Sequence, residues 1–325
     1  MSRLRATALL LLTVGSSAVP AGWAAAVLAG AALAAGCGSN SEATFDYDDG
    51  APLEVRTGDV SDELSLDARG PSHVRVASIT YRSPKGGSLV PARLFIPARK
   101  GPHAGLIVQH GMPGGKEDFS LDAIELARLG AVVIAIDAPF ARREGKPVTF
   151  TPRDRAEQVQ LIIDLRRAVD LLRSRPDVDP DRIGYLGYSY GGAMGGLLAG
   201  VEHRIAGFVL MVGDGGLVEH FNSPYNQGLL SSLEPKRREE WLDTMKPIEP
   251  LTWIEKASAP LLFLSARHDQ LVPPRDAARY QRAAPEPKRI RWYDSDHFLL
   301  PRAWCDAARF LGTHIGIDGN RHWSC

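Results

Sequence analysis

The 325-residue chain has only three cysteines and no excess of charge of either sign. It contains neither a C-x-x-C pair nor an H-E-x-x-H sequence, so the residues indicate neither a structural zinc site nor a zinc protease. Its 38 basic residues are balanced by 38 acidic ones, which argues against a nucleic-acid-binding surface or an acidic tail. With 44% hydrophobic residues, the chain is long enough for one large α/β domain or two small ones.

The first 36 residues contain no acidic side chain and, after Arg3 and Arg5, no charged one. A positive start, a long apolar run and small residues at its end are typical of an export signal, so residues 1–36 are predicted to lie outside the fold. Cys37 follows Ala-Ala-Gly, which resembles the lipobox of bacterial lipoproteins and predicts lipidation of this cysteine. An ordinary signal peptide and an uncleaved anchor stay open as alternatives, because Ala34 replaces the usual leucine and the apolar run is about 30 residues long.

Residues 37–70 are polar and rich in turn-forming residues, which predicts a flexible tether between the signal and a folded domain over residues 71–325. The other two cysteines, Cys305 and Cys325, lie near the end of that domain. In an exported chain they are expected to form a disulfide, with two unpaired thiols as the alternative.

An alternating apolar and polar pattern predicts two antiparallel strands, at residues 73–81 and 89–96. Beyond them, short apolar runs alternate with helical patterns, which predicts parallel strands joined by right-handed helical crossovers. The predicted fold is therefore an α/β sheet of about eight mostly parallel strands with helices on both faces. The alternation stops at about 215–258, which is predicted to form a small helical cap. Its aromatic residues are expected either to line a substrate pocket or to pack the cap onto the body.

A G-x-S-x-G sequence surrounds Ser189, between a predicted strand and a helix of small residues. At such a junction this pattern describes the sharp turn that exposes a nucleophilic serine. Glycines are needed because the backbone is strained and the strand and helix approach closely. The pattern is common by chance, so it needs an acid and a base in support. Asp269 and His297 each follow a predicted strand, in the order nucleophile, acid, base.

Together these features resemble the α/β-hydrolases over residues 75–315, and within them the dienelactone hydrolase and acetyl-esterase branch, which is related to the prolyl oligopeptidase catalytic domain. The resemblance rests on His110-Gly111, the pentapeptide at Ser189, a His-Asp-x-x-Val-Pro segment at Asp269 and an Asp-His pair at His297. It implies an α/β-hydrolase fold and a serine hydrolase that uses no metal or cofactor.

The resemblance also implies roles for individual residues. Ser189, Asp269 and His297 would form the catalytic triad, and the backbone N–H groups of Met112 and Tyr190 would bind the oxyanion.

Other residues are weighed against these roles. Asp214 is the alternative acid. It follows the predicted strand that precedes the cap, and some hydrolases place the acid of the triad at that position. His110 is expected to shape the oxyanion loop, and His268 lacks a serine partner.

The favoured function is an exported, membrane-tethered esterase acting on a small-molecule ester. A serine peptidase of prolyl oligopeptidase type is the first alternative. Such enzymes usually carry a β-propeller, for which residues 38–100 are too few, and this favours the esterase. A non-catalytic lipoprotein of the same fold is the second alternative, and an intact Ser, Asp and His set argues against it.

Overall fold

In a computed structural model, which describes residues 42–67, 70–221, 228–321 and 325, nine β-strands form one sheet. The strands are β1 (Arg56–Asp67), β2 (Gly70–Arg82), β3 (Leu89–Pro97), β4 (His103–Gln109), β5 (Ala131–Ile136), β6 (Val178–Tyr188), β7 (Gly207–Met211), β8 (Leu261–Ala266) and β9 (Lys288–Tyr293). Their order across the sheet is β1-β2-β3-β5-β4-β6-β7-β8-β9. Strands β1, β2, β3 and β5 pair antiparallel, and all pairs from β5 to β9 are parallel. The predicted hairpin and mostly parallel sheet are confirmed, with nine strands rather than about eight.

The inner strands β4, β5, β7 and β8 are buried at every position. Their side chains alternate between two hydrophobic cores, one on each face of the sheet. Ile107 of β4, for example, packs into one core, while Leu106 and Val108 pack into the other. Because both faces are covered, these strands have uninterrupted apolar sequences rather than alternating ones.

Eight α-helices connect the strands in the described part of the chain: α1 (Ser120–Arg128), α2 (Pro152–Arg173), α3 (Tyr190–Ala199), α4 (Leu217–Phe221), α5 (Pro235–Met245), α6 (Pro250–Trp253), α7 (Pro274–Ala283) and α8 (Pro301–Ile315). Helices α2, α3 and α5–α7 contribute to the core on one face of the sheet, and α1 and α8 contribute to the core on the other. Five of the helices begin at a proline, whose fixed φ and missing N–H suit the first turn. Helices on both faces of the sheet confirm the predicted architecture.

The prediction of a flexible tether over residues 37–70 is wrong for residues 42–67. Within the described residues, regular structure begins at Glu42 rather than at residue 71. A 3-10 helix forms at Glu42–Phe45, and Arg56–Asp67 is the edge strand β1, paired along β2. The polar composition was misleading because β1 is an exposed edge strand, where polar side chains face water.

The segment before β1 is attached to the body by one aromatic anchor and several hydrogen bonds. Phe45 is fully buried, with its ring centroid 5.1 Å from that of Trp253. Arg166 of α2 donates a hydrogen bond of 2.8 Å to the Phe45 carbonyl oxygen. The Tyr47 hydroxyl donates to Asp170 of the same helix at 2.9 Å. Residues 42–51 therefore form a strap that packs on α2.

We predict that Phe45→Ala lowers the free energy of unfolding of residues 38–325 by about 3–5 kcal/mol, because it removes a fully buried aromatic ring. Chemical denaturation measures the change. Val55→Ala is the matched control in the same segment: its side chain is 47% exposed, so the expected change is below about 0.5 kcal/mol. If residues 42–51 were a flexible tether, both substitutions would change the free energy of unfolding by the same small amount.

Helices α4, α5 and α6 occupy the segment that was predicted to be a helical cap at about 215–258. Residues 222–227, which include Tyr225, lie outside the described part. Trp241 is 3% exposed and Trp253 is 1% exposed, and both belong to the core that contains α2 and α3. These two tryptophans therefore pack the cap helices onto the body, which decides between the two expected roles in favour of packing.

A disulfide joins Cys305 of α8 to Cys325, the pair expected from the sequence. It ties the last residue of the chain to a buried position on α8. Residues 1–41, with the predicted signal and Cys37, lie outside the described part. Within the part that is described, no helix is long and apolar enough to cross a membrane.

Candidate active site

Ser189 lies at the turn between β6 and α3, with φ 52° and ψ −111°. This φ falls in the left-handed region, where a residue with a side chain is strained. The turn also brings backbone segments together. A Cβ atom on Gly187 would overlap the carbonyl of Gly191, and one on Gly191 would overlap the carbonyl of Gln109 at the end of β4. Glycine alone fits at both flanking positions, which is the physical reason for the G-x-S-x-G pattern.

Three predicted site residues from three different loops meet at this turn. The Nε2 atom of His297 lies 2.9 Å from Ser189 Oγ, and its Nδ1 atom lies 2.8 Å from Asp269 Oδ2. His297 is 7% exposed and Asp269 is 4% exposed. The three side chains therefore form a continuous hydrogen-bond chain that is largely shielded from water.

The Asp269 carboxylate is held by the backbone as well as by His297. Its Oδ1 atom accepts hydrogen bonds from the N–H groups of Leu271 and Val272, at 2.9 and 2.8 Å. An ionised carboxylate only accepts hydrogen bonds, so His297 must donate from Nδ1. In the neutral ring with its proton on Nδ1, the Nε2 atom carries the lone pair that can accept the proton of the Ser189 hydroxyl.

Tyr188, directly before the serine, supports the loop that carries His297. Its hydroxyl donates a 2.6 Å hydrogen bond to the His297 carbonyl oxygen, and the two rings pack edge to face with centroids 5.8 Å apart. Burial raises the pKa of Tyr188 to about 12, so the hydroxyl keeps its proton at neutral pH. No local sequence pattern reveals this bond, because Tyr188 and His297 are far apart in the chain.

Asp214, the alternative acid, is engaged elsewhere. Its Oδ1 atom accepts a 2.8 Å hydrogen bond from the N–H of Gly216, and its Oδ2 atom lies 3.6 Å from Nδ1 of His220. The carboxylate that is bonded to His297 belongs to Asp269. The geometry therefore favours Asp269 over Asp214 as the triad acid.

The remaining polar residues near His297 have local partners. His268 Nε2 lies 2.6 Å from Asp294 Oδ1, and the His268 side chain is 67% exposed. Asp296 accepts a hydrogen bond of 2.9 Å from the N–H of Phe298 and so caps the loop. His268 makes its bond away from Ser189, as expected of a residue without a serine partner.

His110 is buried at the end of β4 and joins two loops. Its Nε2 atom accepts a hydrogen bond of 3.0 Å from the N–H of Ala138. That nitrogen is therefore unprotonated, and Nδ1 donates to the carbonyl oxygen of Gly111 at 2.7 Å. Burial lowers the pKa of His110, which keeps the ring neutral. His110 thus shapes the loop after β4 and does not contact the Ser189 hydroxyl.

The two residues proposed to bind the oxyanion lie next to Ser189 in the chain or next to a residue that contacts it. Tyr190 follows the serine as the first residue of α3. Met112 follows Gly111, which lies so close to the serine that a Cβ on Gly111 would be 3.3 Å from Ser189 Cβ and 3.9 Å from its Oγ. The loop that carries Met112 is therefore in contact with Ser189.

Among the residues that the structure describes, no group of three His, Cys, Asp or Glu side chains is arranged to hold a metal ion. What the site does contain is a hydroxyl whose proton can pass to a buried imidazole, with a carboxylate behind it. This arrangement suits nucleophilic attack on an acyl carbon.

Comparisons with known proteins identify a family and several similar proteins. The model of the prolyl oligopeptidase family matches residues 117–289, more than half of the chain. The protein Rv2307c of Mycobacterium tuberculosis (strain H37Rv) is 30% identical over 219 residues, which cover 66% of this chain and 71% of that protein. The YtaP protein of Bacillus subtilis (strain 168) is 29% identical over 180 residues, which cover 49% of this chain and 57% of YtaP.

Among solved structures, the acetyl xylan esterase from Paenibacillus sp. R4 is similar with a TM-score of 0.69. The alignment covers 85% of this chain and 92% of that chain at 21% sequence identity. This likeness confirms the α/β-hydrolase fold.

We predict that Asp269→Asn lowers kcat for p-nitrophenyl acetate by roughly 10³- to 10⁴-fold. The amide can present an N–H to His297 and so favour the wrong tautomer of the ring. Asp214→Asn keeps an oxygen for the Gly216 N–H and is expected to change kcat less than tenfold. Steady-state kinetics of both variants, with melting curves as the control for folding, make the comparison. A larger loss in the Asp214 variant would assign the acid role to that residue.

Proposed function

The chain belongs to the prolyl oligopeptidase family of serine hydrolases, and we propose that it hydrolyses carboxylic esters through an acyl-enzyme on Ser189. The observation that carries this proposal is the continuous hydrogen-bond chain from Ser189 through His297 to the buried Asp269. Asp269, His297 and Ser189 then act as acid, base and nucleophile.

In the first half of the proposed reaction, Ser189 Oγ attacks the acyl carbon while its proton passes to Nε2 of His297. Asp269 stabilises the resulting imidazolium through the Nδ1 hydrogen bond. The negative charge on the acyl oxygen is stabilised by the N–H groups of Met112 and Tyr190. When the bond to the leaving oxygen breaks, His297 gives its proton to the departing alcohol, which leaves an ester on Ser189.

In the second half, water replaces the alcohol. His297 Nε2 accepts a proton from the water as its oxygen attacks the acyl carbon, and the same two N–H groups bind the second oxyanion. The intermediate then releases the carboxylic acid, and the proton on His297 returns to Ser189 Oγ. The enzyme is thereby regenerated, and the net reaction consumes one water for each ester.

One comparison favours an ester as the substrate. The similar Paenibacillus protein is an acetyl xylan esterase, and it aligns with most of this chain. This likeness supports a short-acyl carboxylic ester as the substrate.

A serine peptidase or amidase is the second candidate, because the family model that matches residues 117–289 is that of the prolyl oligopeptidases. Esterases and peptidases of this kind use the same triad chemistry, so the two candidates differ in the leaving group of the substrate, an alcohol or an amine. Comparison of p-nitrophenyl acetate with a glycyl-prolyl p-nitroanilide on the same preparation separates the two candidates. A higher kcat/KM for the anilide would favour the peptidase.

We predict that residues 38–325 hydrolyse p-nitrophenyl acetate and butyrate and that Ser189→Ala lowers kcat by roughly 10⁶-fold, because the nucleophile is lost. Both proteins are assayed at equal concentration after their melting temperatures are shown to agree. Equal activity of the two proteins would contradict the role of Ser189 as nucleophile. No activity in either would contradict the esterase and favour the non-catalytic lipoprotein.

We also propose that the chain is exported and attached to a membrane through lipidated Cys37. The charge-free apolar run after Arg5, and Cys37 after Ala-Ala-Gly, carry this proposal. The disulfide between Cys305 and Cys325 supports it, because disulfides persist in oxidising compartments outside the cytoplasm.

We predict that the full chain, expressed in bacteria with radioactive palmitate, is labelled and pellets with membranes, whereas Cys37→Ser is not labelled. An anchor that stays uncut would keep the variant in the membrane fraction without label. A secreted, unlabelled wild-type chain would exclude the lipid anchor.

A further inference from the structure

The loop of residues 111–116 joins β4 to the turn before α1 and carries Met112, the proposed oxyanion donor. Both ends of this loop are fixed by two consecutive residues, Asp137 and Ala138, directly after β5. Strand β5 lies next to β4 in the sheet. The position of Met112 relative to Ser189 therefore depends on contacts made at the end of a neighbouring strand.

At the first end, the N–H of Ala138 donates to His110, and His110 donates to the carbonyl oxygen of Gly111. At the second end, the Lys116 N–H donates to Asp137 Oδ1 at 2.8 Å, and the Lys116 ammonium lies 2.9 Å from Asp137 Oδ2. One carboxylate thus binds both the backbone and the side chain of Lys116.

The ion pair between Lys116 and Asp137 is largely withdrawn from water, with side chains that are 20% and 10% exposed. Burial lowers the pKa of Lys116, but the hydrogen bonds to the Asp137 and Glu117 carboxylates outweigh burial, and the net pKa is raised. A charged pair of this kind holds its geometry more strongly than an exposed surface pair.

The backbone of Asp137 is in turn fixed by Arg142. Arg142 donates from Nε to the Asp137 carbonyl oxygen at 2.9 Å, and its guanidinium pairs with Asp164 of α2 at 2.7 Å. The Asp164 side chain has no exposed surface. The anchor is therefore continuous with the core on which α2 packs.

Between its two fixed ends the loop closes tightly. A Cβ atom on Gly114 would lie 2.9 Å from the Gly111 carbonyl oxygen and 3.1 Å from His110 Nδ1, and one on Gly115 would lie 3.2 Å from Asp137 Oδ1. Because the loop is short and crowded, we expect a displacement of Lys116 to displace Met112 as well.

We propose that Lys116 and Asp137 are positioning residues that fix the Met112 N–H where the oxyanion forms. This inference rests on the proposed function, since it concerns the donor that the acyl transfer requires. Neither residue contacts the nucleophile in the described geometry, and their role is exerted through the loop. Because a misplacement of about 1 Å can cost about 100-fold in rate, loss of the pair should affect turnover rather than substrate binding.

The test compares Lys116→Met, Asp137→Asn, the double variant and Lys116→Arg in residues 38–325, with p-nitrophenyl acetate as substrate. We expect each single variant to lower kcat by about 10- to 100-fold with KM unchanged. The double variant should lose no more than the worse single one, because both remove one interaction. Lys116→Arg keeps the charge and should recover most of the rate.

Binding of phenylboronic acid provides a second readout, because its tetrahedral adduct with Ser189 places an oxygen in the oxyanion site. Its inhibition constant should rise by the same factor by which kcat/KM falls, a change that a loss of stability alone would not produce. Asp177→Asn is the control: it breaks a partly buried ion pair with Arg175, just before β6 and thus at the opposite end of that strand from Ser189. It should leave both readouts unchanged.

The other possible results also test whether Lys116 and Asp137 position Met112. Unchanged kcat and boronate affinity in a folded Lys116→Met variant would overturn the inference while leaving the esterase intact. A raised KM with unchanged kcat would mean that the pair acts in substrate binding instead. If Lys116→Met fails to fold, Asp137→Asn and Lys116→Arg carry the same comparison. A wild-type protein that neither hydrolyses esters nor reacts with a fluorophosphonate at Ser189 would defeat the proposed function itself, and this inference with it.

Discussion

At the end of β6 the backbone packs so closely against neighbouring backbone segments that several positions have no room for a side chain. Gly187 faces the carbonyl of Gly191, Gly191 faces that of Gln109, and a Cβ on Gly192 would lie 2.7 Å from the Met211 carbonyl oxygen. The nucleophile turn is thus wedged between the ends of β4 and β7. This crowding forces Ser189 into its strained conformation and aims its side chain out of the sheet, so the rest of the site can be assembled around a fixed point.

Around that point, most of the orientation comes from backbone groups rather than from other side chains. The N–H groups of Leu271 and Val272 hold Asp269, and the Tyr188 hydroxyl holds the carbonyl of His297. The N–H of Ala138 sets the tautomer of His110. Because these contacts lie at the ends of sheet strands or in the loops that follow them, they tie the site to the rigid sheet.

The residues on which the proposed chemistry depends could be chosen from the sequence because the motifs are local. The glycines around Ser189 and the segment at Asp269 each indicate a turn that follows an apolar strand. The strap at residues 42–51 was missed because Phe45 is a single apolar anchor in a polar segment, without periodicity. The cap tryptophans stayed ambiguous because a buried ring that packs and one that binds a ligand have the same sequence signature. The ion pair of Lys116 and Asp137 joins residues from different loops, so no spacing rule reveals it.

By itself the sequence determined the alternation of strands and helices, and it indicated the residue proposed as nucleophile and the order of its proposed partners, because these patterns depend on near neighbours in the chain. Only the tertiary structure decided that Asp269 rather than Asp214 is bonded to His297, that the segment before β1 packs on α2, and that the loop carrying Met112 is fixed from β5. These features depend on contacts between residues that are distant in the sequence. Their geometry follows from how the sheet and its helices pack, which residue types alone do not specify.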